Sequence, residues 1–463
     1  MNCITSSIIS KIDWSNNLYL ELDEIFFGEK ATELDEVEEI SSGTNLLSPP
    51  TVITNSIKDI GDKGEKINYY SSPLGQDSLR ESIKLFERVL SDFNMPESYK
   101  CVVTSGAADG LRIVFDFLKK RGFDNVLTLG PQYSIVFQTI SLSGLGLIES
   151  SGCEGKFLPN PKSIDSIINT RDIDILFLTQ PNNPTGEMYS EKEFKEIVTI
   201  CKKNNIFLVY EKLGADIQID KYNLNNYYGM ILSQENFWNN TIIIDSFSKR
   251  RSISGLRLGY ILGDKGLESF ANLIRFGDCP PLIGNDGVCR DLIVSSIIHL
   301  KEKNKCSINE AIRILQRKVD LSKFKEFITN PSLNQIIEKH YEEIVFMYKT
   351  INNNLKVFQI ELNNYIEGIT SLDGGSNCLV GFENKGLTEK ENALFLYEQG
   401  KVISYPLGCF FIDQTMSKNI SDKFWIRLST AMYPEQFEEI IVRLKKTLGG
   451  GLNEYTKVTR TIF

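Results

Sequence analysis

The sequence predicts an α/β fold: a large domain built on a mainly parallel mixed sheet flanked by helices, followed by a smaller α+β domain. Three observations predict it. Between about 61 and 275, apolar strand-like runs alternate with amphipathic helical stretches, the pattern of a parallel sheet covered on both faces. Two of those runs empty into polar turns, and ligands of such sheets bind at the strand ends. With 463 residues, 41% hydrophobic and 24% charged, the chain has an ordinary globular composition and length for more than one domain at roughly 100–200 residues each.

Taken in order, residues 1–60 are expected to form an acidic, irregular N-terminal arm and part of the small domain, with Glu33, Asp35, Glu36, Glu38 and Glu39 clustered on a solvated face before Pro49-Pro50. The large domain is expected over 61–275. Within it 79–93 is helical by apolar period, 126–129 is a strand, 176–180 is a buried strand, 194–201 is a helix and 206–210 is a strand. Residues 276–345 open with Asp278-Cys279-Pro280-Pro281 and continue into lysine-rich helical stretches such as 301–305. They are expected to be a helical connection with an insertion: a surface lid, a dimer contact or a solvated helical pair. The C-terminal small domain is expected over 346–463, ending in a helix at 438–448 and a polar tail that carries Ile462-Phe463.

Composition narrows the function classes. The net charge of −9 argues against non-specific nucleic-acid binding. Nine cysteines, an odd number with no C-x-x-C pair, read as reduced thiols rather than a disulfide framework or a zinc site, and no metal is expected. Only His299 and His340 exist, both in helical-looking segments, so His-rich metal sites and Ser-His-Asp catalysis have almost no material. No apolar run approaches the roughly 18 residues that span a bilayer, and the N-terminus lacks a signal-peptide pattern. No membrane partner is expected, and the expected location is cytoplasmic.

Two segments carry chemistry. Ile242-Ile243-Ile244-Asp245-Ser246-Phe247-Ser248-Lys249 runs a β-branched strand into a hydroxyl-rich turn, and Arg257 follows in Gly255-Leu256-Arg257-Leu258-Gly259. A strand-end lysine among hydroxyls can capture an aldehyde as a Schiff base while an arginine holds an anion beside it, and burial or a neighbouring cation makes the amine nucleophilic. Taken alone, the segment fits a surface loop equally well. The second is Pro181-Asn182-Asn183-Pro184-Thr185-Gly186, a rigid turn directly after a buried strand.

Together these segments resemble the pyridoxal 5′-phosphate (PLP)-dependent aminotransferases of fold type I, class I/II, and the similarity runs from about Gly43 to the C-terminal helix. Tyr70-Ser71-Ser72-Pro73-Leu74-Gly75 with Leu79-Arg80 resembles the family's tyrosine-plus-glycine segment. Thr104-Ser105-Gly106-Ala107-Ala108 resembles its glycine turn opening a helix, whose unpaired first amides suit a phosphate. Pro131-Gln132-Tyr133 is similar to the segment that stacks an aromatic on the pyridine ring.

The resemblance implies roles at single residues. Lys249 is the Schiff-base lysine and general base. Gly106, Ala107, Ala108, Ser246, Ser248 and Arg257 hold the cofactor phosphate. Asn183 meets the phenolic oxygen. Arg427, in Trp425-Ile426-Arg427-Leu428-Ser429, clamps a substrate α-carboxylate with backbone near Gly43, and a planar guanidinium does this bidentately. Tyr70 reaches the phosphate of a neighbouring subunit, so a homodimer is implied.

One stretch departs from the family. Where relatives carry Asp-Glu-x-Tyr, this chain reads Tyr210-Glu211-Lys212-Leu213, which places Tyr210 at the aspartate that protonates the pyridine nitrogen and Leu213 at the tyrosine that bonds the phenolic oxygen. A tyrosine is neutral at pH 7 and supplies no opposite charge, while Glu211 is expected on the other face of the strand. The expected activity is amino-group transfer from an amino acid to a 2-oxo acid. The departure leaves open other PLP chemistry, such as cyclisation, elimination or oxidation of a modified amino acid, and a non-catalytic role.

Overall fold

The computed structural model describes residues 5–9, 17–28, 37–63, 68–214 and 227–450. Glu33, Asp35, Glu36 and the Ile462-Phe463 tail lie outside the described residues. In chain order the strands are β1 (Thr5–Ile9), β2 (Glu38–Glu39), β3 (Lys100–Thr104), β4 (Asn125–Leu129), β5 (Gly146–Ser151), β6 (Ile175–Thr179) and β7 (Phe207–Glu211). They continue with β8 (Thr241–Ser246), β9 (Gly259–Gly263), β10 (Ile366–Ile369), β11 (Asn377–Phe382), β12 (Val402–Ile403) and β13 (Phe424–Ser429).

Eight strands form one sheet in the order β1-β5-β4-β6-β7-β8-β9-β3. Pairings from β5 to β8 are parallel, whereas β1 is antiparallel to β5 and β9 is antiparallel to both β8 and β3. β6, β7 and β8 are buried along their whole length, as a sheet with helices on both faces requires. Alternation sorts their side chains: Phe207 and Val209 face one core layer, Leu208 and Tyr210 the other. The helix Glu191–Lys203 shows how local sequence sets a boundary, because Ser190 and Glu193 form a reciprocal capping box at its start.

The second domain carries the antiparallel sheet β10-β11-β13, and the short parallel pair β2–β12 ties residues 38–39 to 402–403. The helix Leu18–Phe27 packs against Tyr397 and Tyr405, so this part of the N-terminal arm lies over the small domain. Three expectations change. Thr5–Ile9, read as irregular, is an edge strand of the large sheet. The 276–345 segment is not merely a surface insertion, because its helix Asn285–Asn304 is buried nearly all round between helices Asp77–Leu90 and Thr51–Lys63. Its lysines fall in the last turn, where cations suit the helix dipole. The helix Leu333–Glu361 runs unbroken through the boundary expected at 345/346.

Candidate active site

β8 ends at Ser246, whose hydroxyl accepts from the Ser248 N–H at 3.1 Å and caps the single turn Phe247–Arg250. That turn presents Lys249, and its carbonyl accepts from Asn45 Nδ2 at 2.8 Å. Burial, Arg427 and Arg257 bring the Lys249 ammonium down to about 8, against an opposing pull from Glu39. An amine so placed is neutral far more often near pH 7.5 than an ordinary lysine.

An anion cradle stands beside it. Gly106 has φ +81 and caps the helix Ala107–Lys120, so Ala107 and Ala108 form the first turn. That φ favours glycine, and a Cβ on Gly106 would sit 3.0 Å from Arg257 Nη2. Arg257 donates to the Ser105 carbonyl at 3.3 Å, and its guanidinium is exposed toward solvent. The Ser246 and Ser248 hydroxyls lie 2.9 Å apart. Pairing of Ser246 with Gly259 brings them to the same strand ends, since a Cβ on Gly259 would meet the Gly106 backbone at 2.8 Å. Helix amides, hydroxyls and a guanidinium together suit a phosphate dianion.

Across the site, Arg427 on β13 is buried and rests on Gly43. The glycine has φ +60, and a Cβ there would lie 3.1 Å from the guanidinium carbon. Arg427 Nε donates to the Ser41 carbonyl at 3.0 Å, Nη2 bonds the same oxygen, and Nη1 donates to Asn183 Oδ1 at 3.1 Å. The guanidinium also lies over the Phe410 ring, 5.1 Å from its centroid. Among the described residues no carboxylate comes within ion-pair distance of it. A buried, oriented guanidinium of this kind is prepared for an external carboxylate.

The Tyr210 expectation is corrected by the strand's parity. Tyr210 points into the core between Phe194 and Tyr228, with ring centroids 5.4 and 5.3 Å away, and is 1% exposed. Glu211 takes the opposite face, the one on which Tyr133 packs. Tyr133 Oη donates to Glu211 Oε1 at 2.5 Å, and Thr179 Oγ1 donates to Oε2 at 2.9 Å. The parallel register of β6 and β7 sets Glu211 opposite Thr179. A carboxylate therefore lies against the expected ring-stacking tyrosine, one residue later in sequence than the resemblance implied. Asp216, five positions after Glu211 in sequence, lies outside the described residues.

Lys212, on the Tyr210 face, is fully buried between Glu87 (2.7 Å) and Asp245 (3.0 Å). Arg250 and Tyr260 complete that network from the Lys249 turn and β9.

Lys249, Arg257, Gly106, Ser246, Ser248, Asn183, Gly43 and Arg427 thus converge, with Tyr133 on the adjoining wall. Tyr70 does not join them within one chain, being 92% exposed. Sequence reading missed Asn45 and Thr179, which lie in no local pattern, and put Glu39 on a solvated face, whereas it is half-buried on β2. Tyr19 and Tyr405, stacked at 4.6 Å, were missed for the same reason.

The family described as aminotransferase class I and II matches residues 35–444. The chain is 25% identical over 205 residues to a probable N-acetyl-LL-diaminopimelate aminotransferase of Bacillus subtilis, covering 44% of this chain and 49% of that one. It is 25% identical to the aspartate aminotransferase of Thermotoga maritima, covering 52% of this chain and 62% of that protein. The matched stretch thus spans about half to three-fifths of these relatives. Among solved structures, an aromatic aminotransferase from Pyrococcus horikoshii superposes with TM-score 0.65 at 18% identity, covering 90% of this chain and 96% of that one. An aspartate aminotransferase from Rhizobium meliloti gives 0.67 at 14% identity, covering 95% and 98%. Structural likeness at such identities speaks for the fold, and the match over residues 35–444 speaks for the family. This chain belongs to the aminotransferase class I and II family.

Proposed function

We propose that the protein is a PLP-dependent enzyme that transfers the amino group of an amino acid to a 2-oxo acid. The carrying observation is that Lys249, its ammonium brought down to about 8, stands between an anion cradle and the buried Arg427. The residues present fit PLP. Gly106, Ala107, Ala108, Ser246, Ser248 and Arg257 would take its phosphate, and the glycine leaves room for the approach. Tyr133 would pack on its ring, Asn183 would meet its oxygen, and Glu211 would offer a carboxylate. When bound, PLP supplies an aldehyde that condenses with amines and a ring that accepts electron density from Cα.

The chain's own groups do the rest. Arg427 binds the α-carboxylate, and Asn183 and the Ser41 carbonyl hold its guanidinium in the required plane. Lys249 Nζ would take the Cα proton and deliver it to the carbon on the far side of the amine nitrogen, a task suited to an amine whose pKa lies near the working pH. Tyr70 would serve the site of a second copy in a homodimer, a reading supported by its exposure within one chain. The expectation of other chemistry rested on the lack of a carboxylate for the ring nitrogen, and Glu211 would supply one from the next position.

The test is borohydride reduction of PLP-loaded protein followed by peptide mapping, together with product analysis on an amino-acid panel with and without a 2-oxo acid. A pyridoxyl adduct on Lys249 and acceptor-dependent turnover are expected. An adduct elsewhere, or product without acceptor, overturns the proposal.

A further inference from the structure

We propose that Glu39 selects an amino donor whose side chain ends in a cation, an amine or a guanidinium. The inference rests on the amino-acid reading above and adds a substrate class to it.

Glu39 ends β2, where it is held through the backbone to Ile403 of β12. It lies two residues before Ser41, whose carbonyl carries the Arg427 guanidinium. Two residues of extended chain advance only about 7 Å, so Glu39 lies within side-chain reach of the carboxylate clamp. The group is half-buried, and among the described residues no donor lies within hydrogen-bond distance of its carboxylate. Burial pushes its pKa up, and the fields of Arg427 and Lys249 pull it back. These two cations mark where the α-carboxylate and α-amine of a bound amino acid are anchored. A third group near both would meet the remaining substituent of Cα.

The surroundings agree. Arg427 donates its backbone N–H to the Tyr405 carbonyl at 3.1 Å, so Tyr405 borders the same clamp. The Tyr405 hydroxyl donates to Asp23 Oδ1 at 2.9 Å, and the Tyr19 ring stacks on Tyr405 at 4.6 Å. A second carboxylate and the stacked Tyr19–Tyr405 pair therefore stand behind Glu39. Aromatic faces and carboxylates both attract a cation on an aliphatic stem. An acidic side chain would bring a further negative charge against Glu39 and Asp23, and a neutral one would leave Glu39 desolvated without a partner. The competing role is charge balance alone, with Glu39 merely offsetting Arg427 and Lys249. That role would weaken or strengthen every amino donor alike, whatever its side chain.

The experiment uses the PLP-loaded full chain and compares L-lysine, L-ornithine and L-arginine with L-norleucine and L-glutamate, by calorimetric binding and by amino transfer. The wild type should favour at least one cationic donor over norleucine by about tenfold or more in kcat/KM, with glutamate the poorest. Glu39→Gln should reduce that cationic-to-norleucine ratio by about tenfold, and Glu39→Ala should do the same, so a folding fault in one variant does not decide the matter. The proposal is overturned if norleucine or glutamate equals the cationic donors in the wild type. It is also overturned if both variants shift all donors together and leave the ratio unchanged. Turnover of neutral donors without cationic preference removes Glu39 alone. Absence of any amino-acid binding by the loaded protein removes the amino-acid reading with it.

Discussion

The Tyr133 hydroxyl donates to Glu211 Oε1 at 2.5 Å, joining two residues 78 positions apart on the wall beside Lys249. Burial pushes the Glu211 carboxyl up to about 7, although Tyr133 and Thr179 pull it down, and Asp245 adds to the rise. Without a cation beside it, Glu211 is thus poised between its charged and neutral forms at physiological pH. A bound pyridinium would shift it toward the carboxylate, as any opposite charge does.

A pH effect on stability follows from this. The folded-state pKa of Glu211 lies above the unfolded value, so the folded form binds the extra proton between about pH 4.5 and about 7. Stability contributed by Glu211 is present below that window and lost as pH rises through it. In Glu211→Gln the loss should be smaller by on the order of 3 kcal/mol, read from denaturant unfolding of the cofactor-free protein at pH 4.5 and 7.5. Glu149 and Glu187, also raised to about 7, lose stability in the same window, so the difference from wild type is the quantity that counts. An unchanged difference would mean that Glu211 is ionised throughout.

Much of the site was legible because its pieces are local. Ser246 to Arg257 lies in one strand-turn-strand, Gly106 opens its own helix, and the turn around Asn183 follows its strand directly. The face of β7 was not legible. A run reading Tyr210-Glu211-Lys212 places an aromatic and a charged residue on one face and a carboxylate on the other, and either face can be the buried one. The choice depends on Phe194 and Tyr228 enclosing Tyr210, and on Glu87 and Asp245 receiving Lys212, contacts that cross the sheet. Thr5–Ile9 was missed for a similar reason, since a five-residue strand with three hydroxyl residues shows itself only by pairing with β5.

Lys249 yields a prediction of opposite sign. Its folded pKa, about 8, lies below the ordinary lysine value, so the unfolded chain holds more protons between about pH 8 and 10.5. The cofactor-free wild type should therefore gain stability relative to Lys249→Met as pH rises through that window. Unfolding midpoints of both proteins at pH 7.5 and 10 measure it, and a constant difference would show that the amine titrates as an ordinary lysine.

Arg427→Lys keeps the charge and removes the bidentate geometry. The guanidinium now divides its donors among the Ser41 carbonyl, Asn183 and the open site, and an ammonium cannot hold that plane. Substrate KM should rise by about 10- to 100-fold, with the cofactor absorbance unchanged. An unaltered KM would place the substrate carboxylate elsewhere.

Beneath the site, Lys212→Met should be among the most destabilising single changes. It strands Glu87 and Asp245, both fully buried, with Arg250 as the remaining cation on Asp245. Burial alone would raise Glu87, yet Lys212 and the hydroxyls of Tyr228 and Tyr260 hold it below the usual carboxylate range. Losing one partner of such a pair costs about 3–5 kcal/mol. Chemical denaturation should show that loss, whereas replacing an exposed lysine such as Lys203 should change little. A loss below about 1 kcal/mol would mean that Arg250 compensates both carboxylates.

Tyr70 provides a test of assembly that does not depend on knowing the substrate in detail. It is 92% exposed in one chain, and Tyr69 beside it is 70% exposed, too much bare aromatic surface for a residue with no partner. If Tyr70 completes the neighbouring copy's site, a Tyr70→Phe subunit and a Lys249→Ala subunit together rebuild one intact site: the Lys249 of the first is served by the Tyr70 of the second. Each variant alone should be severely impaired. After mixing and exchange, half of the dimers are hybrids with one working site in two, so activity should recover to about a quarter of wild type. Activity no higher than the mean of the two separate variants would mean that Tyr70 acts within its own chain or not at all.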